Sequence, residues 1–224
     1  MKRFVILTFA ALFLFSRGIW AEDDFQYWQR LQLKVIDTKY FDYMTYGELR
    51  FAEDASDLHL WQTSQKFQLD PVNHLSLGIN YTYLEEEVLD SKTKENDFKY
   101  HNRLELEVNP YFSVGPYIKI KNRNRMEFRW IEDKGSDNGR FRQMWHIEVP
   151  IKGVSIINAV YTNNELFYDF SREQFAQNRW IPAGVAFKIY KENLLRIFYM
   201  IQSVKGRPDW SSNQILGTHV ELAF

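Results

Sequence analysis

The sequence predicts an all-β protein: an antiparallel up-and-down transmembrane β-barrel of about 10–12 strands, with 12 favoured, after a cleaved N-terminal signal peptide. Three observations predict it. Apolar and charged side chains alternate with period two along most of the chain, the mark of strands with unlike faces. The charged faces carry both signs at high density. Beyond the amino end, no apolar run approaches the ~20 residues that a membrane-crossing helix needs.

The amino end comes first. Met1-Lys2-Arg3 is basic, Phe4 to Phe15 is an apolar run of 12 residues with one Thr, and Ala21 precedes the acidic Glu22-Asp23-Asp24. That order describes a secretory signal peptide over 1–21, and 22–224 then forms one outer-membrane β-barrel domain. Cleavage there removes Lys2, Arg3 and Arg17 and no acid. Of 28 Lys+Arg, 25 remain against 29 Asp+Glu, a formal charge of −4. Such a balance gives no basic field for nucleic acid. With no Cys, a disulfide framework and a Cys-ligated metal are excluded. The mean hydropathy of −0.44 argues against a bundle of membrane helices. It leaves a barrel open, because every second residue of such a strand faces a polar interior.

Eleven strands can be placed. The first, 27–36, carries Leu31, Leu33 and Val35 on its apolar face. Strands at 43–52 and 58–69 follow, then 75–83, where Leu75, Leu77, Ile79, Tyr81 and Tyr83 alternate with Ser76, Gly78, Asn80 and Thr82. The clearest is 98–108: Phe98, Tyr100, Asn102, Leu104, Leu106 and Val108 oppose Lys99, His101, Arg103, Glu105 and Glu107. A long strand begins near Tyr117, and within it Met126, Phe128 and Trp130 oppose Arg125, Glu127 and Arg129. In 141–149, Phe141, Trp145, Ile147 and Val149 oppose Arg142, Met144, His146 and Glu148. Strands at 154–168, 179–190 and 194–204 lead to 215–224. An odd count conflicts with the even numbers of bacterial single-chain barrels. Loop alternation sends the strand near Tyr43 outward, so 27–36 is the anomaly. It is expected to find an unseen twelfth partner or to lie against the barrel as a plug or rim segment.

Short connectors at 70–73, 150–153 and 190–193 alternate with long polar ones at 88–97, 132–139, 169–178 and 205–213. Short turns at one end and long loops at the other fit a transmembrane barrel with its long loops outside the cell. Mixed charge on one face suits a wet or ion-paired interior and not a dry core. Leu216, Thr218, Val220, Leu222 and Phe224 occupy every second place up to the terminal aromatic. They resemble the final strand that the bacterial barrel-assembly machinery recognises. The partners expected are therefore that machinery during biogenesis and outer-membrane lipids.

Chemistry is sparse. The chain has no Gly-rich phosphate loop, no Gly-x-Ser-x-Gly and no His-Glu-x-x-His, so no catalytic, cofactor or metal residues are assigned. His74-Leu75-Ser76 has the His–Ser spacing of outer-membrane lipid hydrolases and acyltransferases, but it follows a short turn, away from outer-leaflet lipid. His101, His146 and His219 fall on inward faces without ligand spacing. The candidate site is the charged ladder Arg103, Glu105, Glu107, Arg125, Glu127, Arg129, Arg142 and Glu148, expected to face the lumen. Its charges either pair and hold the barrel shut or line a narrow channel. A non-catalytic envelope component or narrow channel leads; a lipid hydrolase or acyltransferase and a soluble periplasmic β-sheet binding protein are the alternatives.

Several segments in order resemble one family. They are Phe25-Gln26-Tyr27-Trp28, Gly47-Glu48-Leu49-Arg50, Leu77-Gly78-Ile79-Asn80-Tyr81, Asn122 to Arg129, Arg140-Phe141-Arg142, Asn164-Glu165-Leu166-Phe167, and Asn178-Arg179 with Gly184. The chain resembles the domain-of-unknown-function family DUF2490 of bacterial outer-membrane proteins over nearly all of 22–224. The resemblance implies an outer-membrane barrel and carries no established activity.

Overall fold

The computed structural model describes residues 24–89, 96–136, 139–206 and 209–224, so the segment 1–21 lies outside the described residues. It is all β. In chain order the strands are β1 Phe25–Asp37, β2 Phe41–Ala52, β3 Asp57–Val72, β4 Leu75–Leu89, β5 Asn96–Val114, β6 Ile118–Ile131, the two-residue β7 Gly135–Ser136, β8 Arg140–Pro150, β9 Ile157–Asp169, β10 Gln174–Tyr190, β11 Asn193–Lys205 and β12 Trp210–Ala223. β7 pairs only with the end of β6, opposite Trp130 and Ile131.

The other eleven strands form one closed sheet. Sequential neighbours pair antiparallel, β5 pairs with β6, and the ring closes where β1 meets β12. That closing pair is parallel, with ten matched positions from Phe25↔Gln214 to Lys34↔Ala223. Eleven strands joined by hairpins must end with first and last running the same way, so an odd count forces a parallel seam. Parallel pairing is slightly weaker per residue. An open seam costs more, because it leaves two rows of backbone N–H and C=O groups without partners. The count falls within the expected 10–12. The reading of 27–36 as a plug or rim segment is overturned: it is β1, a wall strand paired on both sides.

The alternation sorts the side chains across the wall. On β5, Leu106 is 44% exposed while its neighbours Glu105 and Glu107 are 2% exposed. Leu31, Phe67, Ile79, Trp145 and Leu216 likewise stand exposed on the outside. The outside also carries aromatics toward both ends. Tyr27 stacks on Phe51 and Trp61 lies against Tyr83 toward one end; Phe41 and Tyr43 stack on Phe67 toward the other.

The connectors are more even than the sequence suggests. Strands take up much of the long polar segments: β10 begins at Gln174 and β12 at Trp210, and β5 runs for 19 residues. Tight turns such as His74 (φ 70°) and Lys191 (φ 51°) hold left-handed residues at the end where β3 and β10 finish.

Candidate functional site

The interior has two unlike walls. One, from β3 to β9, is ionic. Glu107 on β5 accepts from Lys66 Nζ at 2.7 Å and from Arg125 Nε at 2.8 Å, and Asn109 also donates to it at 3.0 Å. Glu105 takes Arg125 Nη1 at 2.8 Å and the Asn80 amide. Glu127, with no exposed surface, is shared by Arg140 at 2.7 Å, Arg142 at 3.0 Å and Arg103 at 3.9 Å. Glu165 on β9 accepts a two-pronged contact from Arg142 at 3.0 and 3.1 Å and a further bond from Arg123 at 2.6 Å. Arg129 reaches Asp169 at 3.3 Å, and Arg196 joins Glu148 at 3.0 Å to Glu221 at 2.8 Å.

The register explains the network's shape. Three directly opposite pairs carry like charge: Arg103↔Arg129, Glu105↔Glu127 and Arg125↔Arg142. Side-by-side like charges destabilise a ladder. The long guanidinium side chains therefore reach diagonally, Arg125 to Glu105 and Arg142 to Glu127, and each carboxylate serves more than one cation. The expectation of Arg beside Glu holds directly for ladder members at Glu107↔Arg125 and Glu127↔Arg140, and outside the ladder at Arg30↔Glu48 and Arg179↔Glu165.

The second wall, from β9 round to β1, carries an apolar cluster with a few cations at its margins. Trp28, Tyr161, Ile181, Met200 and Ile215 form a buried cluster, with Phe198 packed against it. Two inward glycines make room for its rings. A Cβ on Gly184 would sit 2.6 Å from Tyr161 Cε2, and one on Gly217 would sit 2.6 Å from Phe198 Cε1, both well inside contact distance. Guanidiniums cap this wall: Arg50 and Arg179 lie 3.8 and 4.8 Å from the Trp28 ring centre.

Between the walls is a chamber of about 400 Å³. Eleven Lys and Arg side chains line it against four Glu, which makes it strongly cationic. Of the eight ladder residues, Arg103, Glu105, Arg125 and Arg142 line it; Glu107, Glu127 and Glu148 stand behind as buried counter-ions, and Arg129 pairs with Asp169 toward the end where β6 and β9 finish. Several important cations lie outside the ladder drawn from sequence: Arg30, Arg50, Lys66, Lys121, Arg123, Arg140, Arg179 and Arg196. Their signal was parity, since Arg30 alternates with Leu31 and Arg196 with Ile197. Glu48 is likewise buried between Arg30, whose Nε is 2.6 Å away, and Arg50 at 2.7 Å.

The His–Ser pair does not assemble. His74 is an exposed turn residue, whereas the Ser76 hydroxyl is buried without a hydrogen-bond partner among the described residues. His101, His146 and His219 face inward, and among the described residues no group of three or more His, Cys, Asp and Glu is placed to hold a metal. Leu216, Thr218, Val220, Leu222 and Phe224 all face outward along the last strand, with Phe224 just beyond its end.

No curated protein and no solved structure matches the chain. A family model described as a protein of unknown function, DUF2490, matches residues 25–213, from the first residue of β1 into β12. With most of its length matched, the chain belongs to the DUF2490 family.

Proposed function

We propose that this protein is a non-catalytic barrel of the bacterial outer membrane, a structural envelope component whose interior is held shut by ion pairs around a cationic chamber. The observation that carries the reading is the inside-out distribution of side chains. A closed sheet turns Leu106 and its like outward and buries Glu105, Glu107 and Glu127. Hydrocarbon tolerates a spanning sheet only when every edge is paired, which supports reading the parallel seam as a membrane adaptation. Aromatics toward both ends of the outer surface fit the two interfaces of a bilayer. The terminal strand then finishes at the periplasmic end, beside the short turns, and the amino-terminal leader 1–21 serves export.

Eleven strands stand between barrels filled by side chains, at about eight, and open porins, at about 16. Here the ionic network and the apolar cluster fill much of the interior, which favours a closed barrel over a conducting one. Two measurements test this. The chain should fractionate with outer membranes and migrate as a compact, detergent-resistant form until boiled. In planar bilayers it should give no unitary conductance steps. Discrete steps would convert the reading to a narrow channel; full extraction without detergent would sink it.

A further inference from the structure

The chamber's cations are not evenly matched, and the mismatch concentrates at one place. Arg179, on β10, stands directly across from Glu165 on β9, but that carboxylate is engaged by Arg123 and Arg142, and Arg179 makes no ion pair within 4.0 Å among the described residues. With the Gln177 amide turned to accept, its Nε finds a neutral oxygen at 3.1 Å. Its guanidinium is held between two buried rings, 4.8 Å from the centre of Trp28 and 4.9 Å from that of Phe167. The same rings carry more positive charge: Arg50 on Trp28 at 3.8 Å, and Arg140 and Arg142 on Phe167 at 4.9 and 4.5 Å. All four guanidiniums line the chamber.

The nearby carboxylates are already divided. Glu127 serves three arginines, Glu165 serves Arg123 and Arg142, and Glu48 serves Arg30 and Arg50. Ring contacts stabilise a guanidinium by about 0.5–2 kcal/mol but do not neutralise it. A buried cation without a counter-ion is strongly unfavourable. Even with the buried Glu107, Glu127 and Glu148 counted beside the four lining glutamates, eleven cations face seven carboxylates.

We propose that the chamber binds a phosphate group through Arg179, with Arg50 and Arg140 completing the cradle. This rests on the chamber described above and assigns its ligand class. A guanidinium fork matches the oxygens of phosphate two at a time. A dianion offsets a surplus of several positive charges better than a carboxylate does. The chamber volume suits a small solute or one headgroup. Arg179, Arg50 and Arg140 all stand near the end where β2 and β9 finish and β10 begins, so the ligand enters from that rim.

The test uses the full chain, purified in dodecyl maltoside and shown to be folded by its heat-modifiable migration. Inorganic phosphate is titrated while the unfolding temperature is followed; phosphatidic acid added to the same micelles forms a second arm. Saturable stabilisation by inorganic phosphate assigns a free solute, and saturation by phosphatidic acid alone assigns a lipid headgroup. In either arm Arg179→Gln should weaken apparent affinity by about tenfold or more. Arg179→Lys should lose less, because it keeps the charge but not the fork. Lys119→Gln, at an exposed cation outside the chamber, should titrate like the parent. A folded parent that responds to neither probe overturns the proposal, as does an R179Q chain that titrates unchanged. Folding is read separately from ligand response and the assay does not depend on membrane location, so failure here is distinct from failure of the barrel reading.

Discussion

The two interior walls solve the same problem with opposite chemistry. From β5 to β9 the inward positions carry Arg and Glu, and Glu105, Glu107, Glu127 and Glu165 are each bonded by two or three cations. From β9 to β1 the buried cluster of Trp28, Tyr161, Ile181, Met200 and Ile215, seated with inward glycines, dominates, with Arg30, Arg179 and Arg196 at its margins. The ionic wall depends on neutralisation: no member can be removed without leaving a buried charge. The apolar wall depends on shape: no atom can be added without moving a ring. Polar burial and steric fit therefore predict different failures on the two sides of one chamber.

The largest expected effect is on the ionic side. Glu127→Gln keeps shape but withdraws the carboxylate shared by Arg103, Arg140 and Arg142. Breaking a buried ion network from one side costs about 3–5 kcal/mol. Reversible urea unfolding of the refolded barrel measures it, and a loss below about 1 kcal/mol would mean that chamber water already screens these charges.

Next is a change on the outside of that same wall. Leu106 stands midway along β5 between the buried Glu105 and Glu107. Leu106→Arg should cost about 2–4 kcal/mol if that face meets the middle of a bilayer. If the face meets water, the change should stay within about 0.5 kcal/mol. The same unfolding assay in lipid vesicles separates the two and bears directly on the proposed location.

A smaller effect is expected on the apolar wall. Gly217→Ala places a methyl against the Phe198 ring, which must tilt or push β11 outward. Overpacking of this kind costs about 1–3 kcal/mol. Adding Phe198→Leu should restore part of the loss, because the ring is the obstacle. If the pair is no more stable than Gly217→Ala alone, the strain lies in the backbone instead.

How much of this was legible in the sequence follows from range. The faces of β5 and β6 could be read because Leu104, Leu106 and Phe128 alternate with Arg103, Glu105 and Arg129, and that periodicity is local. The seam could not. Nothing in 27–36 marks it as one half of a parallel pair, since its partner lies at the far end of the chain and the direction is fixed only by the total count. The diagonal ion pairs were hidden for a related reason: they depend on register between strands, and a shift by one residue would turn every face over. Gly184 and Gly217 hint at a close approach within a strand, but not at which ring approaches. Arg179 stood in the sequence beside Asn178 like any strand arginine. That its cross-strand carboxylate, Glu165, is taken by Arg123 and Arg142 is visible only once the neighbouring walls are assembled.

The smallest stability effect belongs at the seam's end. Phe224 is 85% exposed, and the last strand ends one residue before it, at Ala223. Deleting it removes little buried surface, so unfolding free energy should change by no more than about 0.5 kcal/mol. If the outward row Leu216, Thr218, Val220, Leu222 and Phe224 is an assembly signal, the folded yield in cells should nonetheless fall severalfold. Refolding of the purified chain from urea should proceed as before. That separation of yield from stability distinguishes recognition during biogenesis from packing. Equal yields with and without Phe224 would show that the seam is found by β1 and β12 themselves, through their ten matched positions, without help from the terminal aromatic.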